Sequence, residues 1–461
     1  MPSVLERLAD VVAGVSPEQL PDEVLHEAGR RLLDAIGCML GGSAAGPVRA
    51  AFDAVGTATG PATLVGDGRR ASVADAALAN STALRYLDYM DGHPGPYPCH
   101  PSLLVPAVLA AAESRGASGR QLALAIALGY EVDIRMQLGS GDPDITAHGW
   151  SGSTNLAMAV PSAVAGIFGL SRDELVHALA IATVHGPTLD ASGRGQMAAS
   201  KSCVDGMVAQ SAVTATLLAR HGMRGKVTAF EGEDGFLNGV ARRFDEEVLL
   251  GPIDHFRILD AYTKQYNAVK CAQSAVGSVV ALRESVAGRW DEVDRITLQL
   301  AERDWRNQSD DVEARRRPGN RDTANHSVVY CLATAAIEGQ LQAEQFGPDR
   351  LADPRIHALI DRTVIAPDPE LTSYWPKANP ASVEIRLRSG ETFTHTTIYF
   401  PGHPRNPISD EDLEAKFRSL ATPVVGAERA GAIVEQVRRL PELTEVTGLL
   451  ALLSAGSGVE A

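Results

Sequence analysis

The chain has 461 residues, of which 45% are apolar and only 5% aromatic, and it carries a formal net charge of −15. That length suits two or three domains with a core that needs neither disulfides nor a structural metal. The acidic balance argues against a nucleic-acid surface, which needs a basic stripe to neutralise phosphates.

After Pro21-Asp22, the apolar residues Val24, Ala28, Leu32 and Ile36 recur at helical spacing, and Gly41-Gly42 ends the run. Ser118-Gly-Arg-Gln121 reads as a capping box that opens a helix through about Met136, and Ser171-Arg-Asp-Glu174 as a second one leading into Leu175 to Val184. The stretches Leu103 to Ala112 and Leu156 to Phe168 are apolar on nearly every face, so they are expected as helices enclosed by others. Near residue 290 the period changes. Asp294 to Ala301 and Ala381 to Arg388 alternate like half-buried strands, Ser389-Gly390 marks a turn, and Thr392 to Phe400 returns as a strand. Thr323 to Leu341 reads as one helix between them. Ser409-Asp-Glu-Asp412 caps a last helical region with Leu413, Phe417 and Leu420 on its apolar face. The expected fold class is mainly α: an all-helical domain over 1–267, a smaller α+β lid domain over 268–395, and helices over 396–461 that return to the first.

Several chemistries lack support. No G-x-G-x-x-G, P-loop, G-x-S-x-G or H-E-x-x-H pattern occurs. Cys38, Cys99, Cys203, Cys271 and Cys331 are scattered without zinc or redox spacing, which points to reduced thiols. The first residues lack a secretory pattern and no apolar run reaches membrane-spanning length, so the expectation is a soluble cytoplasmic protein with no membrane partner. Arg315-Arg-Arg317 reads as a solvated loop.

The densest segment is Tyr86-Leu-Asp88-Tyr-Met-Asp91-Gly-His93-Pro-Gly-Pro-Tyr-Pro-Cys-His100-Pro-Ser102. Two carboxylates and two imidazoles sit in a stretch that prolines keep extended. Such loops carry function or, on the plainer reading, cap their neighbours. Lys201 and Lys264, flanked by Ala, Ser and aromatics, read either as surface charges or as buried cations for a carboxylate. Asn325-His326-Ser327-Val-Val-Tyr330 opens an apolar helix, in which His326 reads as a cap and Tyr330 as core.

Seven segments in order resemble the MmgE/PrpD family and span almost the whole chain. They are RLLDAIGCMLGG at 31–42, the Asp88–Ser102 loop beside D-[FY]-D-D-T-H…H-P-S, KSCVDGMVA from Lys201, TAFEGEDGF from Thr228, YTKQY from Tyr262, DTANHSVVY from Asp322, and FPGHPRNPISDEDL from Phe400. The resemblance implies a homodimer with an active site between its domains and no metal or organic cofactor. It implies a lyase acting on a small polycarboxylate, with dehydration as in 2-methylcitrate dehydratase put first. The alternatives are a decarboxylase, an epimerase, or a weak relative that only binds. By motif match, Asp88, His100, Lys201, Lys264 and Tyr330 are the implied catalytic residues. His100 would be acid/base and Asp88 its orienter or a base. The lysines would hold substrate carboxylates, and Tyr330 would donate a proton or hydrogen bond. Asp91, His93, His148, Ser151, Tyr266 and His326 are the implied substrate-binding positions.

The chain departs from the family pattern at the pocket. Gly92 replaces a threonine. Ser151 stands where many members have the histidine of G-W-H-P-T-G, with His148 three residues earlier as a possible substitute. Asn267 replaces the proline of K-x-[YF]-P. These departures bear on the substrate more than on the fold.

Overall fold

The computed structural model describes residues 2–193 and 196–454; residues 1, 194–195 and 455–461, the last within the expected closing segment, lie outside the described residues. The chain forms two compact units, one of Met1–Ala191, Ser202–Ala261 and Ser409–Ala461, the other of Ser192–Lys201 and Tyr262–Ile408. The divisions thus fall at 261/262 and 408/409 rather than at 267/268 and 395/396. Residues 262–267 are tied to the second unit by the Thr263 amide on the Gly402 carbonyl, the Tyr262–Phe400 ring contact and the Asn267 amide on the Leu341 carbonyl.

The first unit is built on helices α1 (Val4–Ala13), α2 (Asp22–Gly42), α3 (Gly46–Val55), α4 (Val73–Tyr86), α5 (Val105–Arg115), α6 (Gly119–Gly139), α7 (Leu156–Phe168), α8 (Arg172–His185) and α9 (Val204–Arg220). Both expected capping boxes form, with Ser118 accepting from the Gln121 amide and Ser171 from the Glu174 amide. Helices α5 and α7 are buried along nearly their whole length, as apolar patterning on every face requires, and α6 is buried with Glu131, Asp133, Arg135 and Gln137 inside. The unit is not wholly helical: β1 (Ala62–Thr63) and β2 (Arg70–Ala71) form a small antiparallel pair. Helix Asp410–Val425 returns to this unit and packs on α2.

Two glycines fix α4, the helix that leads into the candidate loop. A Cβ on Gly42 of α2 would stand 2.2 Å from the Ala83 carbonyl oxygen, and one on Gly206 of α9 would stand 2.5 Å from that of Leu78. Neither neighbour is a flexible side-chain end, so only glycine permits these approaches.

The second unit holds a four-stranded mixed sheet in the order β4-β3-β5-β6: β3 (Val293–Leu300), β4 (Thr363–Pro367), β5 (Ala381–Leu387) and β6 (Thr392–Thr397). β3 runs antiparallel to β5 and parallel to β4. The helices Lys270–Val286 and Val328–Glu338 share its apolar core. The expected single helix over 323–341 is two pieces, Arg321–Ala324 and Val328–Glu338. Ser327 breaks it by turning extended and accepting the Tyr330 amide as an N-cap. Strand β4 was not anticipated. Among the described residues, no helix is long and apolar enough to cross a membrane.

Candidate active site

In the first unit the site begins where α4 ends. Arg85 lies in its last turn, and Asp88 then adopts φ +52°, a left-handed conformation that Asp tolerates better than most side chains. The Arg85 guanidinium pairs with the Asp88 carboxylate, and both are buried. The loop that follows is laced to one face of α6. Tyr130, Asp133 and Gln137, at i, i+3 and i+7, project along one side of that helix. Tyr130 donates its hydroxyl to Asp91 at 2.6 Å, and the Ser102 amide donates to the same carboxylate at 3.2 Å. The Cys99 thiol donates to Asp133 at 3.2 Å. Gln137 gives its NH2 to the Tyr97 carbonyl, so its oxygen faces His93 Nδ1 at 2.6 Å. Burial pushes the Asp133 carboxyl up to about 7, and raises Asp91 against the opposing pull of Arg31.

His100 is half-buried, and its Nδ1 lies 2.7 Å from the Asp91 carbonyl oxygen. A carbonyl only accepts, so Nδ1 carries the hydrogen, and in the neutral ring Nε2 holds the lone pair. The same Nδ1–H bond persists in the imidazolium. Nε2 can therefore take or give a proton without the ring letting go of its anchor.

Asp91 has no exposed surface, and its carboxylate oxygens hold the loop closed. His93 is likewise buried and secures the loop through Gln137. His148 ends the 3-10 turn Ile145–His148 and is exposed. Ser151 serves as N-cap of the turn Gly152–Asn155 that opens α7, accepting from the Ser153 amide at 3.3 Å. Its neighbour Ser153 donates to Asp205 at 2.5 Å, and Asp205 pairs with Arg85 at 3.4 Å.

In the second unit, Lys201 lies on the turn Ala199–Cys203 with its Nζ 2.8 Å from His326 Nε2. His326 Nδ1 faces the Asp322 carbonyl at 2.9 Å and the Asn325 side-chain oxygen. Those acceptors place the hydrogen on Nδ1, so Nε2 accepts from the lysine ammonium. The His326 carbonyl is held in turn by Arg315 and Gln308, at 2.6 and 3.2 Å. Thus one arginine of the expected solvated loop is a backbone clamp.

Lys264, singled out as a candidate buried cation, has no exposed surface. Its segment is set by Gln273, whose amide accepts from the Tyr266 N–H and donates to the Tyr266 and Ala268 carbonyls. The Tyr266 phenol is raised by burial. Asn267 explains its own departure from proline. Its N–H donates to Leu341 at 2.9 Å, which proline could not do, and its side chain accepts from Arg321 at 2.9 Å.

Tyr330, the implied proton donor, sits in the core of the second unit. It is fully buried, lies beside Phe346, and donates its hydroxyl to the Gln345 carbonyl at 2.8 Å. We expect Tyr330→Phe to cost roughly 1–3 kcal/mol of stability through the orphaned carbonyl while leaving turnover within about twofold. A rate loss of about 10²-fold at unchanged melting temperature would return Tyr330 to the chemistry.

Sequence reasoning missed Arg85, Asp133, Gln137, Asp205 and Gln273. For Asp133 and Gln137, the i, i+3, i+7 row with Tyr130 on α6 offered a signal. Among the described residues, no group of three or more His, Cys, Asp or Glu is placed to hold a metal ion.

Residues 6–248 match the model of the MmgE/PrpD N-terminal domain, and residues 266–441 match that of the C-terminal domain. The chain is 27% identical to a cis-aconitate decarboxylase-like protein, oryM, of Aspergillus oryzae, over 98% of this chain and 97% of the relative. It is 25% identical to the cis-aconitate decarboxylase of Mus musculus, covering 99% and 94%. To the 2-methylcitrate dehydratase of Cupriavidus necator it is 26% identical, covering 86% of each. With both domain models matched in order along it, the chain belongs to the MmgE/PrpD family.

Proposed function

We propose that the chain is a lyase that decarboxylates a small unsaturated polycarboxylate of the cis-aconitate type. The observation that carries this reading is coverage. The decarboxylase relatives align over 96–99% of the chain, whereas the 2-methylcitrate dehydratases align over 54–88%. Dehydration, the reaction the sequence alone put first, becomes the second reading, supported by the dehydratases' similar identity of 24–26%.

The proposed chemistry suits the residues. Heterolysis of the bond to the departing carboxylate releases CO2 and leaves an electron pair on carbon, which a neighbouring conjugated carboxylate can delocalise. A proton must then reach carbon. In this reading His100 supplies it from Nε2, with Nδ1 anchored on Asp91, and Asp88 supports the developing imidazolium or orients the substrate. Lys201, backed by His326, and the buried Lys264 hold the remaining carboxylates and offset the charge that grows during heterolysis. Ser151 cannot act as the acid that a histidine would be at that position.

The test is mass spectrometry of the protein incubated in D2O with cis-aconitate, 2-methylcitrate and related di- and tricarboxylates. Loss of CO2 with gain of one carbon-bound deuterium is the expected result. Loss of water would establish the dehydratase reading, and deuterium gain without mass loss an epimerase. No conversion across the panel, with acids still raising the melting temperature, would reduce the chain to a binding protein.

A further inference from the structure

The carboxylate of Asp205 touches two segments that sequence alone keeps far apart. It lies in the first turn of α9 and is buried. One oxygen accepts from the Ser153 hydroxyl at 2.5 Å, and the other lies 3.4 Å from Arg85 Nε. The other end of the Arg85 guanidinium grips Asp88, which holds the left-handed conformation at the start of the loop.

The hydrogens along this chain have fixed directions. Asp205 accepts, so Ser153 spends its one hydroxyl proton there. The 3.0 Å contact between the Ser151 and Ser153 hydroxyls must then use the proton of Ser151. Residue 151, where the family histidine is replaced, is therefore wired to Asp205 as a donor, and Asp205 is wired through Arg85 to Asp88. The helices that carry these groups cannot slide: Gly206, next to Asp205, sits against the Leu78 carbonyl of α4, two turns before Arg85 on the same face.

We propose that Asp205 is a positioning residue for Asp88, acting through Arg85, and that it holds the Ser151–Ser153 segment to the same anchor. A guanidinium shared between two carboxylates has its plane set by both. With Asp205 neutralised, one of the two carboxylates that set the plane of the fork is lost, and the Arg85 contact to Asp88 at positive φ is held less firmly. The proposal rests on the reading of Asp88 as part of the reacting site.

The experiment is a double-mutant cycle on cis-aconitate turnover with Asp205→Asn, Asp88→Asn and the double variant, together with a crystal structure of Asp205→Asn. Asp205→Asn should lower kcat about tenfold with KM within about threefold. In the Asp88→Asn background the same change should cost less than twofold, because the two act as a unit. An equal tenfold loss in both backgrounds, or wild-type kcat in Asp205→Asn, overturns the proposal. If Asp88→Asn alone leaves kcat unchanged, or the wild type does not turn over cis-aconitate, the functional reading fails, and the crystal structure decides the positioning by itself. Arg85 turned away from Asp88 supports it, and an unchanged Arg85–Asp88 contact overturns it. Should Asp205→Asn not fold, Ser153→Ala gives the milder test: a loss of about twofold or more in kcat that disappears in the Asp88→Asn background.

Discussion

His100→Asn is expected to lower kcat/KM on an unsaturated tricarboxylate by at least ~10²-fold, with most of the loss in kcat. The substitution is chosen for its geometry. The Asn side-chain NH2 can still donate to the Asp91 carbonyl, the contact His100 Nδ1 makes at 2.7 Å, so the loop keeps its closure. What disappears is Nε2, a nitrogen able to carry a proton to and from substrate at neutral pH. The loop's other bonds, from Tyr130 and Ser102 to Asp91 and from Cys99 to Asp133, do not involve the imidazole. The melting temperature should therefore change little while the rate collapses. Deuterium incorporation should fall in step with CO2 release, since both need the same proton. Near-normal turnover in a well-folded His100→Asn protein would remove His100 from the chemistry.

What the sequence made legible follows from the range of the interactions. Capping boxes at Ser118 and Ser171 are local chemistry, readable from four residues, and both form. Strands β3 and β5 announce themselves by alternation, and β6 by β-prone residues after the Ser389-Gly390 turn. Strand β4 does not: Thr363–Pro367 follows the helix Pro354–Arg362 without a turn residue and alternates too briefly to stand out. The break at Ser327 was half legible: Asn325-His326-Ser327 reads as a helix opening, but the apolar residues on both sides of it still fall at helical spacing. At the site, the loop from Asp88 to His100 was visible because its ionisable residues are neighbours in sequence. Arg85 and Asp205 were not, since each reads as an ordinary charge at a helix end, and their pairing spans more than a hundred residues. The same holds for Gln137, whose purpose depends on a loop forty residues earlier. Long-range polar anchoring is specified by the fold, and no local pattern encodes it.

The largest stability effect is expected beneath that loop. Lys416, on helix Asp410–Val425, lies 2.6 Å from Asp34 of α2, donates to the Tyr89 carbonyl at 2.8 Å, and sits 3.9 Å from the centroid of the Tyr89 ring. Only 8% of Lys416 is exposed, and 3% of Asp34. Burial works against the ammonium, but Asp34, with Cys38 and Tyr89 beside it, outweighs that and raises its pKa. Lys416→Met fills the volume and strands the Asp34 carboxylate, which should cost about 3–5 kcal/mol. Replacing both, Lys416→Met with Asp34→Leu, removes the orphaned charge and should recover much of the loss. The pH dependence has a definite sign. A lysine raised in the folded state contributes stability that is whole below its unfolded pKa, near 10.5, and lost only as pH climbs through the folded value. Lys416 itself therefore adds no slope to the gap between wild type and Lys416→Met from about pH 6 to 9. Denaturant melts of the transition that includes the first unit, followed across that range, check both points. A gap below about 1 kcal/mol would mean that water reaches Asp34 once the ammonium is gone. The pair would then tether Tyr89 without stabilising the helices that carry it.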